Sequence, residues 1–264
     1  MLRRIKKWFV KKFRKPLNSF EPVFVANTTP SEYDSRDYLA EAGPEFDSSI
    51  SLNPRPPIRN QGSIGSCASF ASLRALEYQF LAQDRFLELS ELYHYYNARK
   101  KVNGTYPVLS GMNIRDACKT SHKFGNAPEL TWQYDVDKAN VRPGLAAYWL
   151  SNIFELERYE RLTTHAQIVD SLKNGYPVMC GIFLDPGYYS LKTALWTPDF
   201  EATGSRKYGA HAVLIVGWKQ TPGVYEFDNS WGTDWGAEGR FYMRRADFER
   251  VSFDWFRLVA KNRF

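Results

Sequence analysis

The sequence contains few of the residues from which disulfide frameworks and metal sites are built. It has three cysteines and four histidines among 264 residues. An odd and small number of cysteines argues against a disulfide framework and favours a reducing compartment. No pair of Cys or His has the spacing of zinc ligands. We therefore expect neither a metal nor another cofactor.

Long apolar runs are also missing. No stretch of 18 consecutive apolar residues occurs, so the sequence predicts no membrane span. The N-terminal stretch is not a secretory signal, because charges interrupt any apolar core. With the cysteine content, this predicts a cytoplasmic or other reducing location rather than secretion through a signal peptide.

Acidic residues are absent from residues 1–15, the leader, which contains eight Lys or Arg. The remainder carries 27 basic and 29 acidic side chains, so the net charge of +6 comes from the leader and not from the body. Because the body is nearly neutral, it has no basic surface for nucleic acid that would extend over the whole protein. The leader's apolar residues would share one helix face, which suits an anionic membrane surface, nucleic acid or an acidic protein. A solvated, frayed tail is the alternative. These apolar residues are Leu2, Ile5, Trp8, Phe9 and Phe13.

One cysteine stands directly before a helical pattern. Apolar residues recur at three-residue steps over residues 67–81, and Ala is frequent, which predicts a helix starting at Cys67. The Ser66 hydroxyl is expected to cap it. A thiol at this end of the helix dipole is favoured as thiolate. Taken alone, Cys67 has a second interpretation as a small buried apolar residue.

A histidine and an asparagine flank a predicted hairpin. Residues 212–216 and 224–228 are predicted strands, with a Pro-Gly turn between them. An antiparallel hairpin would bring His211 and Asn229 together at its open end. The Asn could hold one ring nitrogen and aim the other at a thiol. Taken singly, a strand-end His and a turn-forming Asn are equally acceptable interpretations.

Gln61 lies six residues before Cys67, across a glycine-rich loop. Its side-chain N–H and the backbone N–H of Cys67 are predicted to stabilise the oxyanion of a tetrahedral intermediate. An ordinary loop glutamine is the alternative. Nucleophile, base, orienting residue and oxyanion donor are together the parts that an acyl-transferring thiol enzyme needs.

Four stretches make the chain resemble the papain-like cysteine peptidases, in particular the disulfide-free type found in bacteria and their viruses. The resemblance covers roughly residues 45–264. The matching stretches are PIRNQGSIGSC at residues 57–67, LSEL at 89–92, GAHAVLIVG at 209–217 and NSWGTDWGAEG at 229–239.

The resemblance implies a role for each matching residue. Four are implied to be catalytic: the nucleophile Cys67, the general base and acid His211, its orienting partner Asn229 and the oxyanion donor Gln61. Three are implied to contact substrate: Gly111, Ala210 and Trp231, of which Trp231 would also shield the His–Asn hydrogen bond. A thiol beside an imidazole should have a lowered pKa and should raise the pKa of His211, the two titrating as a pair.

The chain departs from the family pattern at three places. Ala68 follows the nucleophile, where the family usually has Trp. Ile64 stands where secreted members usually carry a disulfide-bonded cysteine. The glycine pair that holds substrate backbone is reduced to Ser110-Gly111. The other two cysteines, Cys118 and Cys180, lie in apolar patterns and are predicted to be core residues.

The order of elements predicts an α+β fold. Helices are predicted at 67–82, 86–100 and 112–124, and strands dominate the second half. A further helix at 165–173 has a possible capping box at Thr164 and Gln167. The resemblance implies a helical lobe at about 60–135, an antiparallel β-barrel-like lobe at about 160–264 and an active site in the cleft between them. A loop-rich approach segment, 16–44, would join the leader to this papain-like domain at 45–264.

The expected function is that of a cysteine-type endopeptidase, which hydrolyses protein or peptide substrates through a thioester on Cys67. A transglutaminase-like acyltransferase is one alternative, which Asn229 disfavours because that class usually has Asp there. A catalytically weak protein with a structural or assembly role is another, for which Ala68 leaves room. A virus-associated setting is compatible with the resemblance.

Overall fold

The structure is a computed structural model that describes residues 25–41, 48–85, 87–200 and 209–261. The leader and the beginning of the predicted approach segment lie outside the described residues. Among the described residues, no helix is both long and apolar enough to cross a membrane.

Helices form the first half of the described body. They are α1 (Cys67–Leu81), α2 (Glu91–Asn97, continued by the π-helix Ala98–Val102), α3 (Ile114–Phe124) and α4 (Leu145–Ser151). Two 3-10 turns, Glu129–Thr131 and Val136–Lys138, lie between α3 and α4. The predicted helices at 67–82 and 112–124 are confirmed. The helix predicted from residue 86 begins only at Glu91, where the Ser90 hydroxyl accepts the Tyr93 N–H as an N-cap.

Strands form most of the second half. They are β2 (Leu156–Leu162), β3 (Val178–Phe183), β4 (Ala210–Lys219), β5 (Val224–Asp228), β6 (Arg240–Arg244) and β7 (Ser252–Ala260), with β1 (Ile50–Ser51) earlier in the chain. Helices α5 (His165–Lys173), α6 (Pro186–Tyr189) and α7 (Arg245–Val251) connect them. The Thr164–Gln167 capping box is present at the start of α5.

The strands pair antiparallel in one seven-stranded sheet of order β2-β7-β3-β4-β5-β6, with β1 beside β4. The outer strands β2 and β6 do not pair with each other within the described ranges. The β-rich lobe is therefore an open sheet rather than a closed barrel. The predicted α+β class is confirmed.

The β4–β5 hairpin brings the end of β5 close to the start of β4. Leu214 faces Asp228, so Asn229 lies just past the strand and two residues short of the level of His211. The backbones are therefore not directly opposite at these two residues. Their side chains nevertheless meet, because Asn229 lies where the chain leaves the sheet.

Helix α1 is buried from Cys67 to Gln79 and packs against β4. Its Arg74 Nε donates to Asp228 Oδ2 over 2.7 Å, and its Tyr78 hydroxyl donates to the same oxygen over 2.8 Å. Arg240 donates to the other oxygen of Asp228 over 3.0 Å. Because α1 starts with the predicted nucleophile and Asp228 precedes Asn229, this buried cluster fixes the two lobes relative to each other.

Candidate active site

Cys67 is the first residue of α1 and is fully buried. Ser66 occupies the N-cap position, but its hydroxyl makes no capping hydrogen bond, so that prediction is wrong. The Ser66 hydroxyl instead pairs with the Tyr134 hydroxyl at 2.7 Å. Tyr134 also donates to the carbonyl of Gln61 over 2.8 Å. One tyrosine thus secures both ends of the loop from Gln61 to the nucleophile.

His211 is the second residue of β4, and its Nε2 lies 2.7 Å from Oδ1 of Asn229. The backbone N–H of Ser230 donates to the same Oδ1 over 2.8 Å, which identifies that atom as the amide oxygen. Since Oδ1 can only accept, Nε2 of His211 carries the proton and Nδ1 bears the lone pair. Nδ1 is buried and has no hydrogen-bond partner among the described residues. The imidazole is thereby held in the tautomer that a general base requires.

The unpartnered nitrogen belongs to a strand end that contacts the thiol. The backbone of Ala212, the residue after His211, lies close enough to the Cys67 sulfur to lower the pKa of the thiol. Nucleophile and base, 144 positions apart in the sequence, are thus brought to one place by α1 packing on β4. Among the described residues, no group of three His, Cys, Asp or Glu side chains could hold a metal ion.

Gln61 is buried and its amide is held on three sides. Its Oε1 accepts from the Ser230 hydroxyl over 2.7 Å, and its Nε2 donates to the Ile64 carbonyl over 2.9 Å. The same nitrogen donates to the carbonyl oxygen of Val25 over 3.1 Å. One Nε2–H therefore stabilises the loop through the Ile64 carbonyl, while the other donates to the peptide carbonyl of Val25. The predicted oxyanion role of Gln61 stays a prediction.

Trp231 packs against His211, with ring centroids 4.6 Å apart and planes tilted by 37°. The indole is only 2% exposed and also contacts Tyr188 and Trp235. It therefore covers the imidazole from solvent, as the resemblance implies. Its burial leaves it almost no surface for the substrate contact that was also expected.

The other two expected substrate contacts lie against residues 25–28 of the chain itself. The Thr28 N–H donates to the Ala210 carbonyl over 2.9 Å. A Cβ added to Gly111 would overlap the backbone carbonyl of Asn27. The backbone of Asn27 also lies close enough to the Cys67 sulfur to lower the pKa of the thiol. A peptide segment of this chain thus lies across the predicted nucleophile and between the predicted substrate-binding residues.

Burial of the site changes the expected ionisation. Desolvation raises the pKa of the Cys67 thiol to about 11, which the backbone hydrogen bonds to its sulfur only partly offset. Desolvation lowers the pKa of His211 to about 4, against the opposing effect of Asn229. In the described conformation both pKa shifts therefore run opposite to the directions predicted for a thiolate–imidazolium pair, because burial disfavours the charged form of each group.

Three contributors to the site were not foreseen from the sequence. Ser230 orients Gln61 through its hydroxyl and Asn229 through its N–H. Its position directly after Asn229 was the one available signal. Tyr134 and Asn27 lie far from every motif in sequence and reach the site only through folding.

The family model described as papain family cysteine protease matches residues 44–253. A peptidase C1-like protein of Acanthamoeba polyphaga mimivirus is 29% identical over 70% of this chain and 63% of its own length. Gamete and mating-type specific protein A of Dictyostelium discoideum is 31% identical over 71% of this chain and 40% of its own length. The matched region thus spans less than two thirds of either relative.

Solved structures share the fold. Xylellain, a cysteine protease from Xylella fastidiosa, superposes with a TM-score of 0.80 over 90% of this chain and 96% of its own, at 24% identity. A Carica candamarcensis cysteine protease superposes with a TM-score of 0.62 over 82% of this chain and 99% of its own, at 20% identity. At these identities the likeness concerns the fold alone.

Proposed function

The chain belongs to the papain family of cysteine proteases, and on that premise we propose that it is an endopeptidase acting on protein or peptide substrates. The observation that carries the proposal is the oriented imidazole of His211. Asn229 accepts the hydrogen bond of its Nε2–H, and its Nδ1 has no partner among the described residues. The next residue, Ala212, lies with its backbone near the Cys67 sulfur. An imidazole so arranged is placed to accept a proton from a thiol.

The proposed reaction starts with transfer of the Cys67 proton to Nδ1 of His211. The thiolate attacks the substrate carbonyl carbon, and negative charge develops on the carbonyl oxygen. The Gln61 Nε2–H and the Cys67 N–H donate to that oxygen. His211 then protonates the departing amine, which leaves a thioester on Cys67. Water, activated by the same imidazole, hydrolyses the thioester and regenerates the thiol.

Two features support assigning the chemistry to Cys67 rather than to another cysteine. All three cysteines are free and buried, so burial alone does not distinguish them. Only Cys67 has both a helix start and the base's strand beside its sulfur. Cys118 lies inside α3, and Cys180 in β3 has its sulfur near the Val213 carbonyl. Burial raises the pKa of both of these thiols.

The test is labelling of the full chain with an epoxysuccinyl thiol-protease inhibitor, followed by mass-spectrometric mapping of the modified residue. We expect the label on Cys67, and we expect hydrolysis of a reporter peptide to fall in proportion to labelling. Cys118→Ser is the matched control, because it removes a buried thiol without touching the site. Equal labelling of all three cysteines, or undiminished hydrolysis in Cys67→Ala, would reject the assignment.

A further inference from the structure

We propose that a second site, the lysine pocket, binds a small ligand carrying an oligophosphate group, that is, two or more linked phosphates. The pocket lies where the π-helix Ala98–Val102, helix α3 and strand β2 meet, and its volume is about 560 Å³. None of its residues belongs to the proposed catalytic set, so the inference is independent of the proposed function. The lining side chains that matter here are Lys101, Asp116, Lys119, His122, Lys123 and Tyr159.

The charge of the lysine pocket is unbalanced, with three lysines against one aspartate. The lysines that form ion pairs in the described part of the chain are two others, Lys138 and Lys261. Burial raises the pKa of Asp116, and the nearby charge of Lys119 only partly opposes this rise. Asp116 Oδ2 accepts instead from Asn113 Nδ2 over 3.0 Å. The pocket therefore keeps a net positive charge that the described residues do not neutralise.

Helix capping explains only part of this charge. Cations are favoured in the last turn of a helix, which accounts for Lys123 in α3 and Lys101 in the π-helix. Lys119 lies before the last turn of α3, four residues from Lys123 and on the same face. Like charges at this spacing repel each other and destabilise the helix. A bound anion would relieve that repulsion, which gives the pocket a physical reason to bind one.

Two adjacent lysines of the π-helix have different surroundings. Lys101 lines the pocket, whereas Lys100 does not, and the Nζ of Lys100 lies 4.3 Å from the centroid of the Tyr106 ring. π-Helical turns are rare and occur frequently at functional sites. This one places a single lysine of the pair in the pocket. The neighbouring lysine is therefore a control of the same charge at almost the same place.

Tyr159 of β2 supplies an aromatic wall and an uncharged donor. Its ring meets the His122 ring edge-on, with centroids 6.2 Å apart, and it also packs against Phe256. Burial raises the pKa of its hydroxyl to about 12, so the hydroxyl stays protonated at neutral pH. A phenol in this state donates a hydrogen bond to an anionic oxygen without adding negative charge. The pocket thus combines three cations with a neutral donor.

These groups favour an oligophosphate over a single phosphate. Lysine binds phosphate oxygens as a point charge, and three lysines match a group with three or more negative charges. A pocket of about 560 Å³ is in the size range that holds whole small molecules, and one phosphate would fill little of it. The ligand chemistry is therefore an oligophosphate, either free or attached to a nucleoside whose base packs on Tyr159.

The test maps lysine acetylation in the full chain by mass spectrometry, with and without inorganic triphosphate. Mapping by residue is needed because the basic leader attracts anions as well. At a triphosphate concentration of roughly ten times the dissociation constant, acetylation of Lys101 and Lys119 should slow by about tenfold, in proportion to occupancy. Lys100 should react at an unchanged rate. Adenosine triphosphate, used as a second probe, should bind more tightly if a base packs on Tyr159 and equally if the phosphates alone are recognised.

Variants test the assignment residue by residue, with the dissociation constant read from protection of a remaining pocket lysine. Lys101→Ala and Lys119→Ala should each weaken triphosphate binding by about tenfold, because each removes one charge-assisted contact. Tyr159→Phe keeps the ring and removes the hydroxyl, so a loss of roughly threefold is expected. Lys100→Ala is the matched control, since it changes the net charge equally, and it should bind like wild type.

Two results would overturn the proposal. Protection confined to the leader lysines, or equal protection of Lys100 and Lys101, would show that triphosphate follows net charge and has no pocket. Equal weakening of binding by Lys100→Ala and Lys101→Ala, with wild-type melting temperatures, would show the same. Because the measurement involves no reaction at Cys67, its result does not depend on whether the chain cleaves peptides.

Discussion

Two buried aspartates, Asp228 and Asp37, are each paired with two arginines, yet they hold different kinds of structure. Asp228 binds Arg74 and Arg240 inside the body, directly before Asn229. Asp37 binds Arg115 and Arg161 from a segment laid over the body. The chemistry is the same in both clusters. The two clusters differ in what their loss would release. Breaking the Asp228 cluster would free Asn229, which is proposed to be catalytic. Breaking the Asp37 cluster would free the segment that covers the site.

The largest expected effect is the loss of the proposed nucleophile or base. Cys67→Ala and His211→Ala should each abolish turnover, because the two residues act as a unit. Asn229→Ala should keep a reduced but measurable rate, since it only loosens the imidazole. Steady-state rates on an Asp37→Ala background would measure all three. If Asn229→Ala folds but is as inactive as Cys67→Ala, then Asn229 has a larger role in catalysis than we infer. The Asp228 cluster, which directly precedes Asn229, would then also be more important for activity.

Breaking the two clusters should have opposite consequences for activity. Asp228→Ala leaves Arg74 buried without its main partner, and we expect a loss of about 3–5 kcal/mol in unfolding free energy together with a loss of activity. Asp37→Ala should cost less stability and raise activity, because only the overlaid segment, residues 25–40, is released. Denaturant titration and the reporter assay on each variant check this. A rise in activity with Asp228→Ala would erase the distinction between the clusters.

Gln61 contacts both sides of this comparison, since Ser230 and Val25 each bind its amide. On the Asp37→Ala background, Gln61→Ala should lower kcat by roughly 100- to 1,000-fold through loss of an oxyanion donor. KM should change little. Gln61→Glu serves as a charged control of similar size, and it should be no better than Ala. If only KM changed, Gln61 would be a residue that contacts substrate in the ground state.

The pH dependence of alkylation should distinguish covered and uncovered sites. In the covered chain the Cys67 pKa is raised to about 11, so thiolate forms only as the pH rises and labelling should be slow at neutral pH. Burial lowers the pKa of His211 to about 4 in the folded chain, whereas its ordinary value is 6.5. Between these two pH values the unfolded chain therefore binds more protons than the folded chain. Stability should therefore fall as the pH drops from 6.5 toward 4. In Asp37→Ala, Cys67 labelling should extend to mildly acidic pH, well before Cys118 or Cys180. Identical pH profiles for the two proteins would contradict this.

The smallest expected effect concerns the leader, which we propose is an attachment device separate from the chemistry. Deleting residues 1–15 should leave reporter hydrolysis unchanged and abolish salt-sensitive binding to anionic vesicles, because its eight positive charges are screened by salt. Nucleic acid and an acidic protein are the other ligands to assay. Activation on deletion would instead show that the leader occupies the cleft as an inhibitor. Loss of folding would show that its aromatic residues belong to the core.

The local sequence pattern was sufficient to predict structure where its signal lay within one helix, cap or hairpin. The helix beginning at Cys67, the Thr164 capping box and the β4–β5 hairpin follow from periodicity, cap chemistry and turn residues that are adjacent in the chain. The motifs also led to the family. The Ser66 cap failed because Tyr134, 68 positions away, pairs with its hydroxyl. A prediction from neighbouring residues cannot identify a partner that is so distant in the sequence.

The sequence by itself determined the family, the α+β class and the identity of the residues proposed to react, because these depend on residue types at short, fixed spacings. The tertiary structure alone decided their ionisation and their accessibility. Helix dipole and neighbouring imidazole predict a lowered Cys67 pKa, but burial outweighs both and raises it. Burial depends on which distant segments pack together. Arg115 and Arg161, from two different elements, pair with Asp37 and so hold the segment that leads away from residues 25–28.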